Sequence, residues 1–509
     1  MNISSLSDLE KLESKIKGNL KKHKLGDTLN SLYVKQKSQN LQPFMVAGFA
    51  LFAIRFCPPS KSSELIRRYD ITSLIDLSND YYLADPITFD TDLSDEFKDS
   101  NPVFMILRLV SSQFPFNQGL FSEFARPALL FDEIPKKLKG LSHIPEFDFE
   151  NKFQAITGVS VLDFITTGFV IYVVSKHNFT FSSNYLKKFR EKGISIPDDC
   201  TLQNIINQLS ADKSQLIKLY EQRKNQDHRF RMHDFNPIIQ YPLIKPCQNK
   251  GFSNSYKDFF HAPVPDLVAS RISTGIYYQM FNEYKTQFSE YFGHVFEYYV
   301  GKVLGNSITS EKLFSESEIR NSYPKERGKV PDWILIDGTT LIVFECKATR
   351  FSRAAQVIAS EKAVNDSLKQ VEKGLKQLGC FIKACQNKVL GLEQFYNCTT
   401  FLAILVSLEP LYLVNSICFR EHINAILGNE HITNFHWQIL SIDQLEKLQP
   451  HLDSKIKLSQ VLDDLQKNKF NDVLENLSSE TNKTFKDSFL YSKQEELYRR
   501  LGEVVLGID

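Results

Sequence analysis

The stretch PDWILIDGTTLIVFECKATR, residues 331–350, constrains the fold more than any other part of the sequence. Two runs rich in β-branched and aromatic residues lie on either side of Asp337-Gly338, a dipeptide that favours a tight turn. The stretch therefore predicts a β-hairpin. Its charges are unusual, because Asp332, Glu345 and Lys347 lie among apolar neighbours, where ionised groups are costly to bury.

The length of the turn decides whether the two acids meet. A four-residue loop, residues 337–340, places Asp332 directly opposite Glu345, with Cβ atoms about 4.5–5.5 Å apart. A two-residue loop leaves the acids diagonal on one face, about 7–8 Å apart, and a three-residue loop without a bulge sends them to opposite faces. With an even loop, Lys347 shares the face of Glu345, and Cys346 points to the other face.

Two carboxylates held this close need a proton or a cation. At about 4 Å, like charges repel by roughly 4 kcal/mol at an effective dielectric constant near 20. An apolar hairpin would not tolerate that repulsion, so a hard divalent cation is the natural partner. Mg²⁺ suits the site, because it keeps several waters and typically uses one or two carboxylates together with substrate phosphate.

The chain divides into four parts by composition and periodicity. Residues 1–225 repeat apolar residues three or four positions apart, which predicts a mostly α-helical domain. Residues 226–274 carry prolines that disfavour helix, which predicts an extended connecting region. Residues 275–445 combine helices and strands, which predicts an α/β domain. Residues 446–509 are charged and predict a helical tail, whose apolar seam could pack on the core or on another subunit: Leu458, Val461, Leu462 and Leu465.

Within the predicted α/β domain, the long helix at 275–305 carries a broad aromatic stripe that is first of all core. Its members are Phe281, Tyr284, Phe288, Phe292, Phe296, Tyr299 and Val303. An amphipathic helix is predicted after the hairpin, at 360–386. Strands are predicted at 399–409, 411–419 and 435–442.

Composition limits the partners and the location of the protein. The 61 Lys and Arg residues nearly cancel the 60 Asp and Glu residues, so any site for a polyanion must be local. The eight cysteines include no CxxC pair, which favours reduced cytosolic thiols, and the N-terminus lacks the apolar core of a signal peptide. The apolar runs 43–54 and 164–174 are shorter than the ~20 residues that a bilayer requires. We expect a cytoplasmic protein with no membrane partner.

Pro331-Asp332 followed by Glu345-Cys346-Lys347 resembles the signature of the PD-(D/E)xK phosphodiesterase superfamily, the fold of many restriction and repair nucleases. The resemblance covers about residues 275–445. It implies a restriction-endonuclease-like core, in which a mixed sheet is flanked by helices. It also implies a metal-dependent nuclease that uses Mg²⁺ or Mn²⁺, with Asp332, Glu345 and the Cys346 carbonyl as metal ligands.

The same resemblance assigns roles to three further side chains. An upstream helix of the family supplies an acidic residue, and Glu297 matches it, as a water-mediated ligand or a ligand of a second ion. RecB-like members carry Gln-Leu-x-x-aromatic on the following helix, and the run that begins at Gln377 fits that pattern. Lys347 would orient or help to deprotonate the attacking water, which calls for a somewhat lowered pKa.

The short motifs occur elsewhere in the chain. Glu-x-Lys recurs at residues 13–15, 96–98 and 283–285, and Pro-Asp recurs at Pro197-Asp198 and Pro265-Asp266. Only at 331–347 does Pro-Asp open one apolar strand and Glu-x-Lys close the next, after an acidic aromatic helix. This joint context distinguishes the predicted site from a surface salt bridge.

The predicted partner is nucleic acid, with DNA preferred over RNA, and the expected biological setting is antiphage defence or repair. Basic residues near the hairpin could contact the phosphate backbone: Arg320, Lys325, Arg327, Lys329, Arg350 and Arg353. One alternative is a nuclease-like fold that serves as a scaffold or nucleic-acid-binding module without catalysis. Another is a ribonuclease, because nothing in the sequence separates readers of the 2′-hydroxyl from readers of DNA. The helical regions could also mediate a homo-oligomer or bind a partner protein.

Overall fold

The computed structural model divides the chain into two compact units, and each is described by itself. Unit 1 comprises Met1–Asp132, Asp148–Glu283 and Glu495–Asp509, and unit 2 comprises Glu133–Phe147 and Tyr284–Gln494. The structure describes residues 3, 5–58, 68–84, 124–178, 180–245, 259–306, 313–348, 361–411, 415, 417–429, 435–452 and 456–502.

Helices dominate unit 1. The first are α1 Leu6–Leu20, α2 Leu25–Gln39, α3 Pro43–Phe56, α4 Arg68–Leu83 and α5 Ala125–Ala128, which is followed by the π-helical turn Leu129–Glu133. The next helix, α6 Ile134–Leu138, belongs to unit 2. Unit 1 continues with α7 Phe149–Thr157, α8 Val161–His177, α9 Ser183–Glu191, α10 Asp199–Leu209, α11 Lys213–Arg223 and α12 Asp266–Arg271. Side-chain caps start several of them: the Ser5 hydroxyl accepts from the Asp8 amide, and Asp212 forms a capping box with Gln215.

The two apolar runs noted in the sequence become the buried helices α3 and α8. All residues from Val46 to Ile54 are buried in α3, and all from Phe164 to Ile171 are buried in α8. Among the described residues, no single helix is both long and apolar enough to cross a membrane. The bent pair Phe149–Thr157 and Val161–His177 meets those criteria of length and composition only when its helices are taken together.

Unit 1 also contains a small four-stranded sheet that the sequence did not predict. Its strands are β1 Thr180–Ser182, β2 Ser210–Ala211, β3 Leu243–Ile244 and β4 Phe259–His261, in the order β1-β4-β3-β2. The segment 226–274, predicted as an extended connection, supplies β3, β4, α12 and the 3-10 helices His228–His233 and Pro237–Ile239. Strands of two or three residues are too short for a period of two to stand out in a sequence.

Unit 2 is built on a five-stranded mixed sheet in the order β5-β6-β7-β8-β9. The strands are β5 Leu313–Ser315, β6 Trp333–Asp337, β7 Thr340–Lys347, β8 Thr400–Ser407 and β9 His436–Ser441. The first three run antiparallel, and β7, β8 and β9 run parallel. The predicted mixed α/β architecture is therefore confirmed, with the hairpin of β6 and β7 at the centre of the sheet.

The helices that accompany this sheet include the two long helices predicted at 275–305 and 360–386, together with shorter helices that the sequence did not predict. They are α13 Thr274–Gly305, which begins in unit 1, α14 Glu316–Arg320, α15 Glu361–Gln386, α16 Ile417–Asn429, α17 Ile442–Leu448, α18 Leu458–Lys467, α19 Phe470–Thr481 and α20 Phe489–Leu501. Short 3-10 turns lie at Lys325–Arg327, Glu393–Phe395, Gln449–His451 and Phe485–Asp487. The predicted strand at 411–419 is wrong, because α16 begins at Ile417; residues 412–414 and 416 lie outside the described residues.

The tail seam packs within the chain. Leu458, Val461, Leu462 and Leu465 of α18 are all buried. The Asp337 carboxylate at the hairpin turn accepts hydrogen bonds from the amide of Ser459, at 3.2 Å, and from its hydroxyl, at 2.7 Å. The start of the tail is thus tied directly to the β6–β7 turn.

The aromatic stripe of α13 is core, as predicted, over its second part. Phe288, Phe292, Phe296 and Tyr299 are each at most 1% exposed. Helical geometry breaks at Lys285, which has φ 47° and ψ −123°, a conformation that costs energy for any residue except glycine. The part of α13 that accompanies the mixed sheet is therefore residues 286–305.

Candidate active site

The register of the hairpin places the two predicted acids opposite each other. Ile336 pairs with Leu341, and the pairing continues outward to Trp333 and Phe344. One further step sets Asp332 against Glu345. The turn has only two residues, 338 and 339, but it lies one position later than Asp337-Gly338, so the register is that of the predicted four-residue loop.

The type of pairing determines how close the backbones of Asp332 and Glu345 come. Antiparallel pairs alternate between hydrogen-bonded and non-hydrogen-bonded types, and the pair that closes a two-residue turn is hydrogen-bonded. Counting from Asp337 and Thr340, the Asp332–Glu345 pair is non-hydrogen-bonded, the type with Cα atoms only about 4.5 Å apart.

Pro331 explains why the ladder ends at this point. Pro331 lies opposite Cys346 in the same register and has no amide hydrogen to donate. The Cys346 amide instead donates to Oδ2 of Asp332 at 2.6 Å. In a hydrogen-bonded position the carbonyl points to the same side as the amide, so the Cys346 carbonyl faces the acids without a donor from Pro331.

Glu345 is the most buried of the candidate residues. It is 2% exposed; its Oε1 accepts from Nζ of Lys347 at 2.5 Å, and its Oε2 accepts from Nε2 of Gln377 at 2.8 Å. Gln377 reaches Glu345 because helix α15 lies close to strand β7 at Gly374. A Cβ at Gly374 would lie 2.8 Å from Cδ1 of Leu405 and 3.6 Å from Cγ of Glu345.

Glu297 approaches from α13, on the opposite face of the sheet from α15. Trp333 points away from the Asp332 side, and its Nε1 donates to the backbone oxygen of Glu297 at 3.0 Å. The Trp333 ring lies against Gly301, one turn further along α13. The Glu297 side chain is 31% exposed, and its Oε2 lies 3.8 Å from Nδ1 of His294.

The electrostatics of the site show uncompensated negative charge. Burial, followed by repulsion from Glu345 and Glu297, raises the pKa of Asp332 well above its ordinary value. Burial also raises the pKa of Glu345, against the lowering effect of the Lys347 ammonium. In this metal-free state, the pair takes up protons more readily than ordinary carboxylates do.

The pKa of Lys347 differs from the lowered value that its proposed role leads one to expect. Burial lowers its pKa, but the charge and hydrogen bond of Glu345 outweigh burial, so the pKa is raised rather than lowered. The ammonium is therefore held protonated next to the carboxylate pair. This favours a role as a hydrogen-bond donor over a role as a base.

The residues fit a divalent cation with few protein ligands. In the described part of the chain, no group of three or more His, Cys, Asp or Glu side chains is arranged to hold a metal ion. The two side chains that could ligate such a cation are those of Asp332 and Glu345, with the Cys346 carbonyl beside them. Among the described residues Oδ1 of Asp332 has no hydrogen-bond partner, and Mg²⁺ commonly binds through one or two carboxylates and several waters.

Two of the six predicted basic residues near the hairpin, Arg320 and Arg327, bind the protein itself. Arg320 pairs with Glu316 at 2.9 Å and donates to the backbone oxygen of Gly328 at 2.7 Å. Arg327 donates to the backbone oxygen of Leu390 at 2.7 Å. The two lysines of the set, Lys325 and Lys329, are exposed, whereas Arg350 and Arg353 lie outside the described residues.

Comparison with known proteins assigns no family to this chain. No protein-family model, no curated protein and no solved structure matches it significantly. Inferences about its chemistry therefore rest on the arrangement of the residues around Asp332 and Glu345.

Proposed function

We propose that the chain is a metal-dependent nuclease of the PD-(D/E)xK type that hydrolyses phosphodiester bonds in DNA. One observation carries the proposal: Asp332 and Glu345 form a close cross-strand pair, and Lys347 donates to Glu345 at 2.5 Å. All of these residues lie at the end of the hairpin where Pro331 interrupts the ladder.

The finer fold assignment, a restriction-endonuclease-like core, is part of the same proposal. The mixed sheet, with α13 against Trp333 on one face and α15 against Glu345 on the other, supports it. The helix before the hairpin carries Glu297 and the helix after it carries Gln377, in the order that the resemblance requires.

Each residue has a physical task in this chemistry. Asp332, Glu345 and the Cys346 carbonyl would hold Mg²⁺ or Mn²⁺, with Glu297 acting through water. When bound, the cation lowers the pKa of a water and neutralises charge that develops on the scissile phosphate. Gln377 fixes the orientation of the Glu345 carboxylate through its hydrogen bond.

The protonated Lys347 completes the set. Its ammonium donates hydrogen bonds only, so it can hold the attacking water by an oxygen lone pair or stabilise a phosphate oxygen. It also offsets part of the repulsion between the two acids.

The direct test incubates the purified chain with linear, circular and single-stranded DNA and with RNA. Each substrate is tested with Mg²⁺, with Mn²⁺ and with excess chelator. We expect DNA cleavage that needs Mg²⁺ or Mn²⁺ and stops with chelator. Cleavage of RNA alone would replace DNA as the substrate, and no cleavage of any substrate with either cation would contradict the proposal.

A further inference from the structure

A second charged cluster of unit 2 lies beside α13, around Glu133. Three ammonium groups form ion pairs with this one carboxylate. The distances from Nζ to a carboxylate oxygen are 2.8 Å for Lys137, 3.2 Å for Lys302 and 3.4 Å for Lys493. The formal charge of these four side chains is therefore +2. Burial would raise the pKa of Glu133, but its lysine neighbours hold it at about 2, so the carboxylate is already ionised at neutral pH.

Lys302 connects this cluster to the candidate active site along one row of α13. His294, Tyr298 and Lys302 are spaced by four residues, and side chains four apart on a helix are neighbours. His294 lies 3.8 Å from Glu297 at one end of the row, and Lys302 binds Glu133 at the other. We call His294, Tyr298, Lys302 and Lys137 together the lysine ridge.

Tyr298 is the exposed aromatic residue in the middle of the lysine ridge. The residue is 39% exposed, while the aromatic residues on the inner side of α13 are buried. The pKa of Lys137 is raised, mainly by Glu133 and further by Tyr298, which places the phenol within electrostatic range of that ammonium. The side chain of Lys137 is 49% exposed and that of Lys302 is 28% exposed, so a ligand can reach both.

We infer that the lysine ridge binds single-stranded DNA that leads to the Asp332–Glu345 pair; the inference rests on the proposed nuclease function. An exposed ring next to ammonium groups suits an unpaired strand, because bases stack on the ring while phosphates contact the lysines. Duplex DNA covers its base faces and offers no base to Tyr298. Lys302 lies five residues beyond Glu297, about 7.5 Å along the helix axis, so a few nucleotides span the distance between these two residues.

The test measures binding without cleavage. Fluorescence anisotropy of a labelled single strand of about 20 nucleotides, longer than one typical site, and of its duplex is recorded in chelator over a range of salt. The parent for all variants is the full chain with Asp332→Asn. The variants are Tyr298→Leu, the pair Lys137→Gln with Lys302→Gln, and the control Lys467→Gln, which removes one exposed charge from α18.

We expect the parent to prefer the single strand, and Tyr298→Leu to weaken its binding about tenfold. The double lysine variant should lower the slope of log K against log salt by about 1.4, roughly 0.7 for each lost phosphate contact. Lys467→Gln should leave both quantities unchanged. A loss of folding would weaken binding without giving this selective change in slope.

The inference is overturned if duplex binds as tightly as single strand, or if the variants match Lys467→Gln in affinity and salt slope. These results can occur even when the wild-type chain cleaves DNA. Conversely, a wild-type chain that never cleaves but shows the expected single-strand binding would contradict the nuclease proposal and support the lysine ridge.

Discussion

The Asp332→Asn variant is expected to lose metal-dependent DNA cleavage by about 10³-fold or more, because one anionic ligand of the cation is gone. Lys347→Ala should lose about 10²- to 10⁴-fold, the usual effect of a group that orients or activates the reacting water. Initial rates with Mg²⁺ and with Mn²⁺ measure both losses.

The structure supplies a matched control for this pair. Pro197-Asp198 repeats the Pro-Asp dipeptide, and Asp198 caps α10. Asparagine caps helices about as well as aspartate, so Asp198→Asn should cut DNA like the wild type. Asp332→Asn removes one of two repelling charges and should not lower the melting temperature in chelator. If Asp332→Asn and Lys347→Ala both cleave like the parent, the assignment of the site is wrong.

The second large effect concerns the contact that brings Glu297 to the hairpin. A Cβ at Gly301 would lie 2.0 Å from Cζ2 of Trp333, so any side chain there must displace the ring. We expect Gly301→Leu to lower the free energy of unfolding by about 2 kcal/mol, a typical cost of overpacking. Cleavage should fall as well, because Trp333 also donates to the Glu297 backbone. Thermal unfolding and initial rates measure the two effects.

Gly293 of the same helix provides the comparison. No described atom lies within 4 Å of a Cβ at that position, so Gly293→Ala should raise the free energy of unfolding by about 0.5–1 kcal/mol through helix propensity. Replacing the Trp333 ring by the smaller leucine side chain in the Gly301→Leu background should restore part of the stability, because residues 301 and 333 are in direct contact. Equal melting temperatures for Gly293→Ala and Gly301→Leu would contradict this packing account.

The sequence predicted what depends on local pattern. The residues around Asp337-Gly338 predicted the hairpin, and counting along its strands predicted that Glu345 and Lys347 share a face; the structure has both. The long helices α13 and α15 and the strands β8 and β9 also followed from periodicity. A cytoplasmic location and a role in antiphage defence or repair stay predictions.

Other features depend on distant residues and left no local signal. The small sheet of unit 1 pairs segments from 180 to 261, and α16 replaces a predicted strand because apolar runs of that length suit either structure. The raised pKa of Lys347 depends on its short contact with Glu345. The charged cluster around Glu133 joins this residue to Lys302 and Lys493, each more than 160 positions away, which only the folded chain reveals.

Whether the Asp332–Glu345 pair holds a divalent cation is tested most directly by calorimetric titration of the purified chain with Mn²⁺. The wild type and the control Glu475→Ala, an exposed position on α19, should each bind Mn²⁺ at a site that Glu345→Ala lacks. Identical Mn²⁺ binding by Glu345→Ala and the wild type, or no binding by either, would contradict the account.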